Sequence, residues 1–214
     1  MHMQTVTETA IQKAERGIFT REQVAFWINS RGASLDALLK RAVASAEVRR
    51  ICRGLYCLSS RFTSRQINPM ELAQQIHGPS YISLETALSY HGWIPEAVHA
   101  ITSVSPKRSR TFETPLGLFS FTCVPQSNLL AAVNRISEAG GGSFFVATPL
   151  KSLADYVYTH HGDWTGIAPL RESLRIDDEN LAGLTGGDFD ELLPVYRSGR
   201  VRRFLVGLRK ELGR

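Results

Sequence analysis

Apolar positions in the first sixty residues follow two rhythms, a helical one and then an alternating one. Val24, Ala25, Trp27 and Ile28 make one face of a short helix, and Thr20-Arg-Glu-Gln23 ahead of them fits a capping box. Leu35, Leu38, Leu39, Ala42 and Val43 follow the i, i+3, i+4, i+7, i+8 stripe of a longer helix that Ser34 is placed to cap. Asn29-Ser-Arg-Gly32 between them reads as a tight turn, and Thr7–Glu15, ended by Gly17, predicts a first short helix. Glu47–Ser60, EVRRICRGLYCLSS, then changes period. Its strand formers flank a two-residue Arg53-Gly54 turn, where glycine adopts positive φ without steric cost. Parity leaves the inward face open: Ile51, Tyr56 and Leu58 share one side, and Val48, Cys52, Leu55 and Cys57 the other. Helix, helix–turn–helix and two-stranded ribbon predict a winged helix-turn-helix over residues 1–62.

Beyond a polar connection at 61–69, residues 68–214 predict a mixed α/β domain with a helical C-terminal part, so the fold class is α+β. Pro69–Ile76 suits a short helix. Tyr81–Glu85 runs on into Thr86–Tyr90, with His91-Gly92 as the stop. Ile101–Val104 reads as a strand, Thr111–Pro115 and Gly117–Val124 as hairpin arms, and Ser143–Ala147 as a buried strand. Leu129–Ala139 is amphipathic at helical spacing. Leu150, Leu153, Ala154 and Val157 line one stripe of a later helix, and Val201, Phe204, Leu205 and Leu208 one of the last.

Charge sharpens the division. The chain has 214 residues and a formal net charge of +5. Residues 1–66 hold eleven Lys/Arg against five Asp/Glu, and residues 67–214 fourteen against fifteen, so the excess belongs to the first third. Three guanidinium groups, Arg49, Arg50 and Arg53, crowd the ribbon. A polyanion partner is the expectation, because phosphate neutralisation supplies most non-specific nucleic-acid affinity. In a winged helix the third helix enters the major groove and the ribbon tip lies on neighbouring backbone. The expected DNA-binding residues are therefore Arg31 and Ser34 at the turn, Lys40 and Arg41 on the helix, and Arg49, Arg50 and Arg53 in the ribbon. No apolar run approaches the roughly 18–20 residues of a membrane span, and the polar opening MHMQTVTETA gives no expectation of a secretory signal. With three cysteines, the simple expectation is a reduced, cytoplasmic protein.

Three stretches, RRICRGLY, then PSYISLETALSYHGWIPEAVHAITSVSPKRSRTFETPLGLFSF, then FFVATPLKSLADYVY, resemble the AbiEi family of type IV toxin–antitoxin antitoxins, in the family's order. The resemblance implies an N-terminal winged helix joined to a C-terminal antitoxin domain. It further implies binding to double-stranded operator DNA, repression of the protein's own operon and counteraction of an AbiEii-like, nucleotidyltransferase-like toxin. The alternative is a general winged-helix transcription factor whose C-terminal part senses a ligand or a protein.

Enzyme chemistry finds little support. His160-His161-Gly-Asp163 has the wrong spacing for a metal site and reads as a helix end. Gly140-Gly-Gly142 precedes a strand, the reverse of the order that aims amides at phosphate. Gly186-Gly187-Asp188-Phe-Asp190 lacks a transferase's spacer, and Asp188 is placed to cap a helix from Phe189 to Tyr196. His91 has no partner nucleophile in any recognisable motif. No catalytic residue, metal or cofactor is expected. Two further basic groups remain as auxiliary contacts: Lys107, Arg108 and Arg110, and an outer ridge of Arg200, Arg203 and Lys210 on the last helix.

Overall fold

The computed structural model describes residues 5–63, 66–96, 98–137 and 142–214, and is mixed α and β. Two compact units emerge, Met1–Ile76 with Phe112–Gly117, and His77–Thr111 with Leu118–Arg214. Ser64 and Arg65 of the expected 61–69 connection lie outside the described residues.

In the first unit the first two helices start where side chains can satisfy their free amides. Thr5 and Glu8 form a capping box for α1 (Val6–Lys13), and Thr20 and Gln23 form the anticipated one for α2 (Arg21–Trp27). Between them lies β1 (Ile18–Thr20), a strand that sequence reasoning missed. α3 (Gly32–Ala44) begins earlier than Ser34 suggests. Gly32, at φ +57, lets the chain turn in sooner, so Arg31 is the N-cap without a side-chain bond and Ser34 lies inside the first turn. β2 (Val48–Cys52) and β3 (Leu55–Leu58) complete an antiparallel sheet of order β1-β3-β2.

An irregularity between Arg50 and Cys52 sets the ribbon's faces. Ile51 is the additional residue, so Cys57 pairs with Arg49 and Tyr56 with Arg50. Neither parity grouping survives. Val48, Tyr56 and Leu58 share the inward face and pack with Val6, Phe19, Val24, Leu35 and Leu39. Phe19 stacks on Tyr56 at 6.0 Å between ring centroids. α4 (Pro69–Ile76) adds an ion pair, Arg16 with Glu71, to this unit.

The remaining elements are β4 (Tyr81–Ile82), α5 (Leu84–Tyr90), β5 (Ala100–Ser105), β6 (Arg110–Thr114), β7 (Gly117–Cys123), β8 (Val133–Ser137) and β9 (Ser143–Ala147). They are followed by α6 (Pro149–Thr159), α7 (Ala168–Leu174), α8 (Asp178–Ala182), α9 (Gly186–Leu192) and α10 (Gly199–Glu211). The six strands form one sheet of order β6-β7-β5-β4-β9-β8, with β5/β7 and β4/β9 parallel and β4/β5 and β8/β9 antiparallel. Tyr81 and Ile82 are thus a central strand, not the start of the helix that follows.

Leu129–Ala139 is not a helix. Ala132 takes φ 50, and Val133–Ser137 pairs residue by residue with β9. Its i, i+3 apolar spacing fits either period, and the free edge of β9 decides for the strand. Residues 138 and 139 lie outside the described residues, as do Gly140 and Gly141 of the triglycine. α9 is capped by Thr185, with Asp188 at the third helical position accepting from the Thr185 amide at 2.7 Å. Asp188 therefore supports the cap and does not form it. The stripes of α6 and α10 are buried as their spacing requires.

α6 also buries two charges, Lys151 and Asp155, one turn apart and both at 0% exposure. Asp155 accepts from Tyr81 (2.8 Å) and Ser83 (2.7 Å) at Oδ2, and from Tyr196 (2.7 Å) at Oδ1. The Lys151 ammonium donates to Gln126 Oε1 at 2.6 Å, Gln126 donates in turn to the Tyr81 hydroxyl, and the ammonium lies 5.0 Å above the Tyr81 ring. Burial raises the Asp155 pKa against the opposing pull of Lys151 and the hydroxyls, and burial lowers that of Lys151. Burial, then the Asp155 charge, pushes the Tyr81 and Tyr196 hydroxyls up, which keeps them donors.

Tyr196→Phe removes one donor from this buried carboxylate. It is expected to lower the unfolding free energy by about 1.5–3 kcal/mol, the range for hydrogen bonds to charged groups, read by urea denaturation. Because the folded pKa of Asp155 lies above the unfolded one, folding favours the protonated form. The stability this group contributes is full below the unfolded carboxylate value of about 3.9 and is lost as pH rises through the raised folded value. The stability of the wild type relative to Asp155→Asn should therefore fall as pH rises from about 4. Parallel denaturation series check the sign, and a gap that widens with pH would contradict it.

Candidate nucleic-acid interface

One local tie organises the basic face of the first unit. The amide of Arg21, the first residue of α2, donates to the Gly54 carbonyl at 2.9 Å. Gly54 sits in the ribbon turn at φ +83 with open space where a Cβ would stand. The tie follows from the sheet: Thr20 pairs with Leu55, so β1 delivers the start of α2 to the ribbon tip. The tip is therefore held against the helical layer.

A groove of about 850 Å³ opens there, lined by α3 through Asp36 and Lys40, by the ribbon through Arg50 and Arg53, and by Arg21. Arg21 Nε donates to Asp36 Oδ1 at 2.8 Å, a bond that holds the Asp36 carboxyl below the usual range and raises the Arg21 guanidinium. Arg53 and Lys40 are exposed and have no carboxylate partner among the described residues. The outward side of α3 near Lys40 carries small residues, Ala33, Ser34, Ala37 and Ala44, all exposed. A helix with so little bulk outside can bring its backbone close to another surface.

The expected site residues do not all converge. Lys40, Arg50 and Arg53 share the groove. Arg31 lines an adjoining hollow of about 590 Å³ with Arg21 and Phe26. Arg41 lies in a separate depression beside Thr5 and Glu47, and its Nε reaches back to the Ala37 carbonyl at 3.5 Å. Arg49 pairs with Cys57 and so takes the sheet face opposite Arg50. Arg21 went unnoticed in the sequence because the first helical position suggests only a surface charge, and Phe26, 85% exposed, because it falls between stripe positions.

In the second unit Lys107, Arg108 and Arg110 gather around one hollow with His77. Arg200 departs from the expected outer ridge. It is half-buried, with one amino group donating to the Tyr158 carbonyl and the other 2.7 Å from His161 Nδ1. The carbonyl-rich end of α6 attracts that cation. Arg203 and Lys210 remain exposed on α10. His160 and His161 close α6, with His160 stacked on Tyr156 at 3.8 Å. The His91 Nε2 lies 2.8 Å from the Ala147 carbonyl. Among the described residues no group of three His, Cys, Asp or Glu is placed to hold a metal ion, and no helix is long and apolar enough to cross a membrane.

A scan against protein-family models matches none to this chain, and a search of curated proteins finds no match.

The tie at the ribbon tip is open to test. Gly54→Ala places a side chain in the left-handed region, at an expected cost of about 1–2 kcal/mol, with no clash because the space is open. Amide exchange at Arg21 should accelerate in that variant. Unchanged protection would mean the tip is not held by this bond.

Proposed function

We propose that the first unit is a winged helix-turn-helix that binds duplex DNA. α3 serves as the helix in the major groove, and the β2–β3 turn is the wing on flanking phosphate. The observation that carries the reading is the groove uniting Lys40, Arg50 and Arg53 beside α3, fixed by the Arg21–Gly54 tie. The element order supports it too, since β1 precedes α2 and pairs with β3 while β2 and β3 form the ribbon. Arg50 and Arg53 can fork onto phosphate or guanine edges. Asp36 would cost affinity against phosphate, but as a base reader a carboxylate accepts from the cytosine amino group. Arg31, at the uncapped start of α3, supplies a phosphate contact near free helix amides.

The fuller reading is an antitoxin of the AbiEi kind that represses its own promoter and counteracts a nucleotidyltransferase-like toxin. The likeness of the three sequence stretches supports it, together with the basic excess confined to residues 1–66. In this reading the two jobs belong to different units. Arg53 gives the DNA test. Log K should fall steeply with log salt, and Arg53→Ser should flatten the slope by about 0.9 while weakening all sequences alike. An unchanged slope removes the turn from the interface. The double variant Arg50→Glu, Arg53→Glu of the full chain should lose promoter binding. It should still rescue cells from the cognate toxin expressed from an unrelated promoter, and growth arrest despite folded protein would show that neutralisation needs the DNA-binding face.

A further inference from the structure

The basic turn between β5 and β6 is stitched in place to an extent that a solvated loop does not require. The Ser105 hydroxyl donates to the Pro79 carbonyl at 2.9 Å and accepts from the Lys107 amide at 3.2 Å. Lys107 Nζ donates to the Gly78 carbonyl, and the His77 ring hydrogen-bonds the Arg108 backbone. The Cys123 amide donates to Ser109 Oγ at 2.8 Å, which leaves the Ser109 proton free to point elsewhere. Three separated segments, 77–79, 105–110 and Cys123, thus fix one turn.

That turn and His77 enclose a hollow of about 530 Å³ lined by His77, Lys107, Arg108, Ser109 and Arg110, with neither an acidic nor an aliphatic side chain among them. Among the described residues Lys107 and Arg108 have no carboxylate partner. The His77 imidazole senses the surplus. Burial first, and then the charges of Lys107 and Arg110, hold it below its usual range. Positive potential, rigid donors and a concave shape are the combination that selects a multivalent oxyanion over chloride.

We propose that this hollow is a phosphoryl-binding site, in which Arg108 and the Ser109 hydroxyl contact the oxygens and Lys107 supplies charge. The site is defined by the second unit's own residues and does not rest on the DNA-binding reading of the first. Its ligand is a phosphate group, supplied either by a free phosphorylated small molecule or by a nucleic-acid backbone.

The test uses the full-length protein and inorganic phosphate. At constant ionic strength, titration should give saturable NMR shifts at the Ser109 amide and the His77 ring. Arg108→Gln alters an exposed side chain and leaves the bonds of Ser105, Lys107 and Cys123 that hold the turn untouched, so it should weaken binding about tenfold with an unchanged melting curve. Shifts that do not saturate, that chloride alone reproduces, or that persist unaltered in Arg108→Gln would overturn the site. Duplex DNA then separates the sources. A salt slope flattened by about one unit in Arg108→Gln identifies the ligand as backbone phosphate. An unaltered slope alongside lost phosphate binding identifies a free phosphorylated molecule. Failure of the wild type to bind DNA at all would refute the proposed function and leave the phosphate result standing, in favour of the free molecule.

Discussion

Asp155 is the constraint around which the second unit is arranged. A carboxylate with no solvent access must be given donors, and its three come from the first residue of β4, the residue that follows the strand and the segment leading to α10. An isolated buried charge would cost several kcal/mol, so these segments cannot drift apart independently. Lys151 is coupled to the same arrangement through Gln126, which connects the loop after β7 to the sheet centre. The sheet, α6 and the approach to α10 therefore share one polar centre inside an apolar shell of Leu150, Leu153, Val157 and Phe204. Replacing such a pair by apolar residues need not weaken a protein, but removing one partner does. Its value here is in fixing which β-strand and which helix meet.

The first unit solves a different problem with fewer resources. Its sheet is three short strands, and its ribbon would be mobile if held only through β3. The Arg21–Gly54 bond and the Phe19–Tyr56 stack give the ribbon a second attachment at the tip and a third at mid-length. Preorganised cations bind with less ordering cost than mobile ones. The same logic recurs around Ser109, where hydrogen bonds from Ser105, Lys107 and Cys123 hold the turn and the exposed Arg108 side chain takes no part in them.

Much of this was legible in the chain. The Thr20–Gln23 box, the α3 stripe, the Arg53-Gly54 turn and the β6–β7 hairpin follow from local rules, and local rules suffice where neighbours in sequence supply the partners. What escaped depends on distant partners. β8 is a strand because β9 offers an edge, not because Val133–Ser137 prefers one. Ser34 lost its capping role because Gly32 turns the chain into the helix two residues earlier, which makes Arg31 the N-cap. Lys151 and Asp155 stand one turn apart, the spacing of an ordinary surface pair, and only the surrounding tyrosines and serine make them a core. Arg200 left the exposed ridge because the end of α6 lies within its reach. In the candidate groove, three of the seven expected residues were brought together, and Arg21 joined them unannounced.

The additional residue in β2 acts as a phase shifter. In a regular ribbon counted outward from the Arg53-Gly54 turn, Arg50 would stand opposite Cys57 and belong to the far face. With Ile51 set aside, Arg50 stands opposite Tyr56 and joins the groove, while Arg49 moves to the other side. Two adjacent arginines thus have interchangeable chemistry and opposite destinations, and one residue of strand length decides between them. A single-codon insertion or deletion between Val48 and Cys52 would leave charge and composition nearly intact yet exchange the guanidinium presented to the groove. In such a ribbon, alignment columns are a poor guide to which arginine does the work, and the count of residues back from the turn is the better one.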